Sequence, residues 1–243
     1  MNELSALLDI SVGSKISVVG CGGKTSLIEL IAGDNRDKKV LVSPTTKMLP
    51  MKSDTVMLCD TLESCALHTA QQGIQCFGQY NDKNGKLEAL PEKTLSEIST
   101  HYDIVLMEAD GSRGLPCKGW HQNEPVIPSF STHTVGVMTL CALEKPATGE
   151  NVHNLPEFLS LTGLNEGEEI TKQALETMSC SPGGMFKNSV GEKYLLVNKV
   201  DDEVSENVAL SFLQNLNEKY PRFFKKLIYG SVHGNKFKSL QCK

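Results

Sequence analysis

Lys15-Ile16-Ser17-Val18-Val19-Gly20-Cys21-Gly22-Gly23-Lys24-Thr25-Ser26-Leu27-Ile28-Glu29-Leu30-Ile31-Ala32 changes its hydrophobic period at the glycines. Lys15–Val19 is a short β-branched run, the pattern of a buried strand. Lys24–Ala32 carries Leu27, Ile28, Leu30 and Ile31 at helical spacing. The segment therefore predicts a strand, a tight loop and a helix. Glycine reaches positive φ without steric cost, so Gly20, Gly22 and Gly23 let successive backbone N–H groups turn toward one point. The helix start adds free N–H groups and the positive end of its dipole. A lysine at the rim supplies charge for β/γ-phosphates, and the next hydroxyl reaches Mg²⁺. Gly20, Cys21, Gly22, Gly23, Lys24, Thr25 and Ser26 are thus expected to bind the phosphates of a nucleotide. The loop is a short GxxGKT form, because Val18 stands where the longer GxxxxGK[ST] pattern has its first glycine. That short form is also met in ATP-dependent amide ligases of the Mur type.

Working outward, Lys39–Ser43 reads as a second buried strand, giving a parallel βαβ unit. Thr61–Gln72 reads as a helix. Ile74–Tyr80 and Lys86–Leu90 flank Asn81–Gly85, whose Asn-Gly is a hairpin signal, so an antiparallel insertion is expected near 74–90. Pro91–His101 is amphipathic. Ile104–Met107, Thr134–Leu140, Tyr194–Val197 and Lys226–Gly230 read as strands. Asn151–Ser181 reads as helical pattern broken by Gly163 and Gly167, and Glu203–Tyr220 as a helix. This alternation predicts one α/β domain built on a doubly wound, mostly parallel sheet of P-loop NTPase type.

Composition narrows the function classes. The 243 residues carry a net charge of −5, with no basic stripe, so nucleic acid is not the expected partner. Apolar runs such as Val135–Ala142 fall far short of the ~20 residues of a bilayer span. The start, Met1-Asn2-Glu3-Leu4, lacks a secretory pattern, so a cytoplasmic location is expected. The 8 cysteines are scattered without zinc spacing and read as reduced apolar side chains. Cys21 lies where a helix end lowers a thiol pKa, yet it reads as a space-filler rather than a nucleophile.

Four further segments fall at strand ends, where α/β sheets bind ligands. Glu108-Ala109-Asp110-Gly111 follows Ile104–Met107; Asp110 is expected beside Mg²⁺ with Thr25, and Glu108 beside a water or the metal. The other reading of Asp110 is a turn residue before glycine. Arg113 is expected to neutralise phosphates or an anionic substrate. Thr45 and Thr46 lie where a hydroxyl senses a γ-phosphate through Mg²⁺, or where threonine caps a helix. Asn198-Lys199-Val200-Asp201 has the NKxD form, in which Asp201 accepts two N–H bonds from guanine, favouring GTP over ATP. The alternative is a strand-to-helix turn with Asp201 or Asp202 as N-cap. Ser231, after the last strand, brings a backbone N–H toward the base. The long loop around Trp120 offers Lys118, His121 and Glu124 to a substrate or partner, unless Trp120 only anchors it to the core.

With VVGCGGKTSLIELIA, SPTTKM, VLMEADGSRGLPCKGWHQNEPVIP and LLVNKVD in hand, the chain resembles the YqeC family over essentially its whole length. Those proteins are described as selenium-dependent hydroxylase accessory proteins. The resemblance implies a role in maturing selenium-dependent molybdenum hydroxylases, with such a hydroxylase or its cofactor intermediate as partner. In design, the phosphate loop is also similar to that of accessory GTPases that deliver nickel to urease and hydrogenase. The residues leave three activities open: a Mg²⁺-dependent NTPase, a phosphotransferase or ATP ligase acting on a small molecule held by Arg113–Pro128, or a nucleotide-binding module without turnover.

Overall fold

A computed structural model describes residues 3–51, 56–67 and 69–240. In chain order its elements are α1 (Glu3–Leu7), β1 (Ser14–Gly20), α2 (Lys24–Asp34), β2 (Lys39–Pro44), β3 (Lys47–Met48), β4 (Val56–Cys59), α3 (Leu62–Leu67), β5 (Gly73–Phe77), β6 (Gln79–Asn81), β7 (Lys86–Glu88), α4 (Glu92–Ser99), β8 (Ile104–Glu108), β9 (Cys117–Lys118), β10 (His133–Thr139), β11 (Val152–His153), α5 (Leu155–Thr162), α6 (Lys172–Cys180), β12 (Glu192–Asn198), α7 (Glu203–Lys219), β13 (Lys226–Ser231) and β14 (Lys236–Leu240). Nine strands form one sheet in the order β14-β13-β12-β10-β1-β8-β2-β5-β4. Every pairing in it is parallel except β13 with β14.

The apolar runs are continuous because both faces are covered, the condition under which parallel strands lose polar alternation. Successive residues still point to opposite faces. Ile16 and Val18 of β1, Val40 and Val42 of β2, and Leu106 of β8 pack against Leu27, Ile28 and Ile31 of α2 and Leu4 of α1. On the other face, Leu195 and Val197 of β12 meet Phe212, Leu213 and Leu216 of α7 and Leu175 of α6. Leu41, Val105 and Met107 pack there with Leu95 of α4 and Cys65 of α3. Each of these side chains is at most 2 % exposed, and burying one contributes roughly 1.5–3 kcal/mol for Val, Leu, Ile, Phe or Met.

The expected hairpin is shorter than its sequence signal. Ile74–Phe77 belongs to β5, which runs parallel between β2 and β4. Only β6 and β7 form the antiparallel hairpin, joined by β3 in a small separate sheet. The helix expected over Thr61–Gln72 is Leu62–Leu67; His68 lies outside the described residues, and 69–72 are not helical. Among the described residues no helix is long and apolar enough to cross a membrane.

From β1 the chain crosses toward β2, whereas β10, β12 and β13 extend the sheet in the opposite direction. The carboxyl end of β1 is therefore a switch point, where open α/β sheets leave a crevice for ligands.

Candidate functional site

Strand register assembles the site. Val18 of β1 pairs with Glu108 of β8, and Glu108 pairs with Pro44 of β2. Gly20 pairs with Val137 of β10, and Thr139 with Asn198 of β12. The carboxyl ends of these strands therefore meet around the phosphate loop. Gly20, Gly22 and Gly23 all have positive φ, at 98°, 91° and 133°. A side chain at Gly20 would strike the Val137 carbonyl, and one at Gly23 the Asn198 amide. Helix α2 starts with no side-chain cap and no acid in its first turn. Its leading N–H groups, which have no partner within the helix, are therefore free to meet an anion.

Two residues past Glu108 the chain brings Asp110 alongside Gly20, fully buried. The Gly20 N–H donates to both carboxylate oxygens at 3.1 Å, and Trp120 Nε1 donates to Oδ2 at 2.6 Å. Lys24 Nζ lies 3.2 Å from Oδ1 and Lys118 Nζ 3.3 Å from Oδ2. Lys24 also donates to Gly20 O at 2.7 Å and Ser112 Oγ at 3.3 Å. Burial opposes the Lys24 charge, but Asp110 and Glu108 outweigh it and hold its pKa above the ordinary lysine value. Lys118 is as buried as Asp110; it donates to Gly111 O at 2.6 Å and Glu124 Oε2 at 3.2 Å, with its ammonium 5.4 Å from the Trp120 ring centroid. Every direction around Asp110 is thus occupied by protein donors.

The carboxylate beside the Thr25 hydroxyl is Glu108, which accepts from Thr25 Oγ1 at 2.8 Å. Burial raises the Glu108 pKa above its usual 4.5, against the lowering pull of Lys24 and Thr25. A carboxyl whose pKa is raised by folding favours the folded state below its ordinary pKa and loses that contribution as pH rises through the folded value. Glu108→Gln, which fixes the uncharged form, should therefore raise Tm at pH 8. Each kcal/mol regained corresponds to about 2–4 °C for a chain of this size, and the gain should shrink toward pH 4.5. A lower Tm for Glu108→Gln at pH 8 would contradict the reading.

The cavity over the loop has a volume of about 420 Å³ and is lined by Lys24, Lys47, Lys86, Arg113 and Lys199 against one carboxylate, Glu108. Gly22, Gly23, Thr25 and Ser26 complete its floor, and Met48 and Leu49 its wall. Lys47 and Lys86 come from the small β3-β7-β6 sheet, so that insertion roofs the phosphate loop.

The remaining candidates fall in several places. Cys21 is buried; desolvation pushes its thiol up to about 12 against the lowering pull of Lys24, so the thiol is no nucleophile. Thr45 donates to Val126 O at 2.6 Å, whereas the Thr46 hydroxyl is buried without a hydrogen-bond partner among the described residues. Asn198 is a strut: its Nδ2 donates to Gly22 O at 2.8 Å, and its Oδ1 accepts from Val232 N at 2.9 Å. Lys199 lines the loop cavity, but Asp201 borders a separate hollow beside α7. Asp202 is the N-cap of α7, in a capping box with Ser205. Ser231 accepts from Gly234 N at 2.9 Å, tightening the turn before β14. His121 pairs with Glu157 at 2.7 Å and is exposed. Trp120, 5 % exposed, anchors its loop to the core. Among the described residues no cluster of three or more His, Cys, Asp or Glu forms a ready-made metal cage.

Residues 16–156 match the family described as YqeC protein, a span that contains Lys24, Glu108, Asp110, Lys118 and Glu124 but not Asn198–Asp201. A protein of Escherichia coli (strain K12) described as "Uncharacterized protein YqeC" is 33% identical over 181 residues, covering 71% of this chain and 70% of that protein. With more than half its length inside the family match, and a relative this similar over so much of both chains, the protein belongs to the YqeC family.

Proposed function

We propose that the protein binds a nucleoside triphosphate with Mg²⁺ on a P-loop NTPase-type fold and hydrolyses it. The observation that carries this reading is the cavity with five cations facing one carboxylate, set on an uncapped helix start in a chain of net charge −5. Only a polyanion suits that concentration of charge in an otherwise acidic protein. Lys24 would exchange its Gly20 and Ser112 contacts for phosphate oxygens while staying near Asp110. Thr25 and Glu108 provide the hard oxygen donors that suit Mg²⁺, which is commonly held by one or two carboxylates plus substrate phosphates. Held by Thr25 and Glu108, such an ion would offset the negative charge that develops on the phosphate during transfer. The metal contact is therefore proposed for Glu108 rather than Asp110, whose oxygens already serve four protein donors. Glu108 also faces the space where an attacking water would be oriented. Through the family resemblance, we propose that turnover serves maturation of selenium-dependent molybdenum hydroxylases.

The base is proposed to lie past Lys199 toward Asp201, which favours GTP. Thermal unfolding with GTP or ATP, each with and without Mg²⁺, tests both parts. Saturation at 100 times Kd should add about 2.7 kcal/mol of stability, and phosphate release should depend on Mg²⁺. Asp201→Asn should move preference from GTP toward xanthine nucleotides. Protection by ATP alone would overturn the guanine reading; no protection by any nucleotide would overturn the function.

A further inference from the structure

Arg113 borders two cavities. One is the phosphate-loop cavity; the other, of about 460 Å³, lies on its far side and is lined by Leu115, Val152, His153 and Leu155. The strand pair that frames the second cavity is tied to the buried charge cluster, because His153 of β11 pairs with Lys118 of β9 and its carbonyl accepts from Gly119 N at 2.8 Å. Three features give this hollow a chemical preference. No acid lines it. Arg113 has no ion-pair partner among the described residues, whereas Lys24, Lys47 and Lys118 each have a carboxylate within 3.3 Å. The remaining wall sets the aliphatic side chains of Leu115, Val152 and Leu155 beside Gly149, His153 and Asn154. Arg113 is also held at φ 51°, a left-handed conformation uncommon for residues other than glycine and enriched at ligand sites. Burial, reinforced by the nearby Lys118 and Arg113 cations, keeps the His153 pKa below 6.5, so at neutral pH its ring adds hydrogen-bonding capacity without charge.

We infer that this second cavity binds a small organic anion, its charged group on Arg113 and its apolar body against Leu115, Val152 and Leu155, while the nucleotide occupies the phosphate loop on the other side of Arg113. A planar guanidinium can present donors to two oxygen-bearing groups, which lysine does less well. The inference rests on the proposed function for its account of the first cavity, but the second cavity's lining stands independently of it.

Phenyl phosphate is a suitable probe, carrying an anionic head and an apolar body, with inorganic phosphate as the head-only control. Calorimetric titration would be run on the full chain, alone and loaded with a non-hydrolysable GTP or ATP analogue and Mg²⁺. The expected result is that phenyl phosphate binds the loaded protein more tightly than inorganic phosphate does. Arg113→Ala should weaken it at least tenfold and Arg113→Lys by less, each measured at a nucleotide-analogue concentration that saturates that variant. Arg113 is exposed, so neither substitution threatens folding. Displacement of the nucleotide by phenyl phosphate, equal binding by Arg113→Ala, or no binding to wild type would each overturn the second site. Arg113-dependent phenyl phosphate binding by a protein that takes no nucleotide would instead overturn the proposed function and leave the second site standing.

Discussion

Asp110→Ala is expected to be the most destabilising single substitution in the site, lowering stability by about 3–5 kcal/mol. The reason is the number of groups that depend on one buried carboxylate. Without it, Lys24 and Lys118 become two ammoniums with their nearest shared counter-charge removed, and the Gly20 N–H and Trp120 Nε1 lose their acceptor. Unfolding of the nucleotide-free protein in denaturant reads this directly. Asp110→Asn keeps an acceptor for the two N–H groups but not the charge, so it should fall between wild type and Asp110→Ala. Adding Lys118→Met to Asp110→Asn should recover part of the loss, because removing both partners of a buried pair is far less damaging than orphaning one. A loss below 0.5 kcal/mol for Asp110→Ala, within the usual range of surface substitutions, would show that Asp110 does not hold the loop.

The second large effect concerns affinity. Lys24→Ala should weaken binding of every nucleoside triphosphate at least a hundredfold, which is about 2.7 kcal/mol. Hydrogen bonds to charged groups contribute roughly 1.5–3 kcal/mol each, and Lys24 is placed to make more than one to a phosphate chain. The loss in folding stability should be smaller than for Asp110→Ala, because Lys118 still balances the carboxylate. Stability and affinity therefore separate the two residues: Asp110 acts mainly on the first and Lys24 mainly on the second. Calorimetry on Lys24→Ala checks it, and affinity equal to wild type would refute the phosphate-loop assignment.

The strand, loop and helix around Gly20–Lys24 were legible in the sequence because the hydrophobic period switches at glycines that the backbone requires. The central strands were legible for a similar reason, as uninterrupted apolar runs flanked by turn residues. What was hidden depends on partners far along the chain. Ile74–Phe77 looks like one arm of a hairpin until β2 and β4 are seen to cover both of its edges. Strand β14 escapes a pattern reading because Phe237 is its one buried residue. Glu108 and Asp110 are both acids at one strand end, and only the register of β8 against β1 assigns one to Thr25 and the other to Gly20. Lys118 reads as a surface residue of a long loop. Its nearness in sequence to Asp110, Trp120 and Glu124 was the available signal of a buried, compensated charge, since lysine is almost never fully buried unless paired.

The Asn198 strut ties together parts of the chain 176 residues apart. During synthesis the amino-terminal portion emerges and begins to fold first, so the glycine turn exists well before its brace. The brace is then finished only when the turn at Val232 closes on the same amide. A chain cut short before Asn198 would keep the glycine turn but lack the brace that holds it.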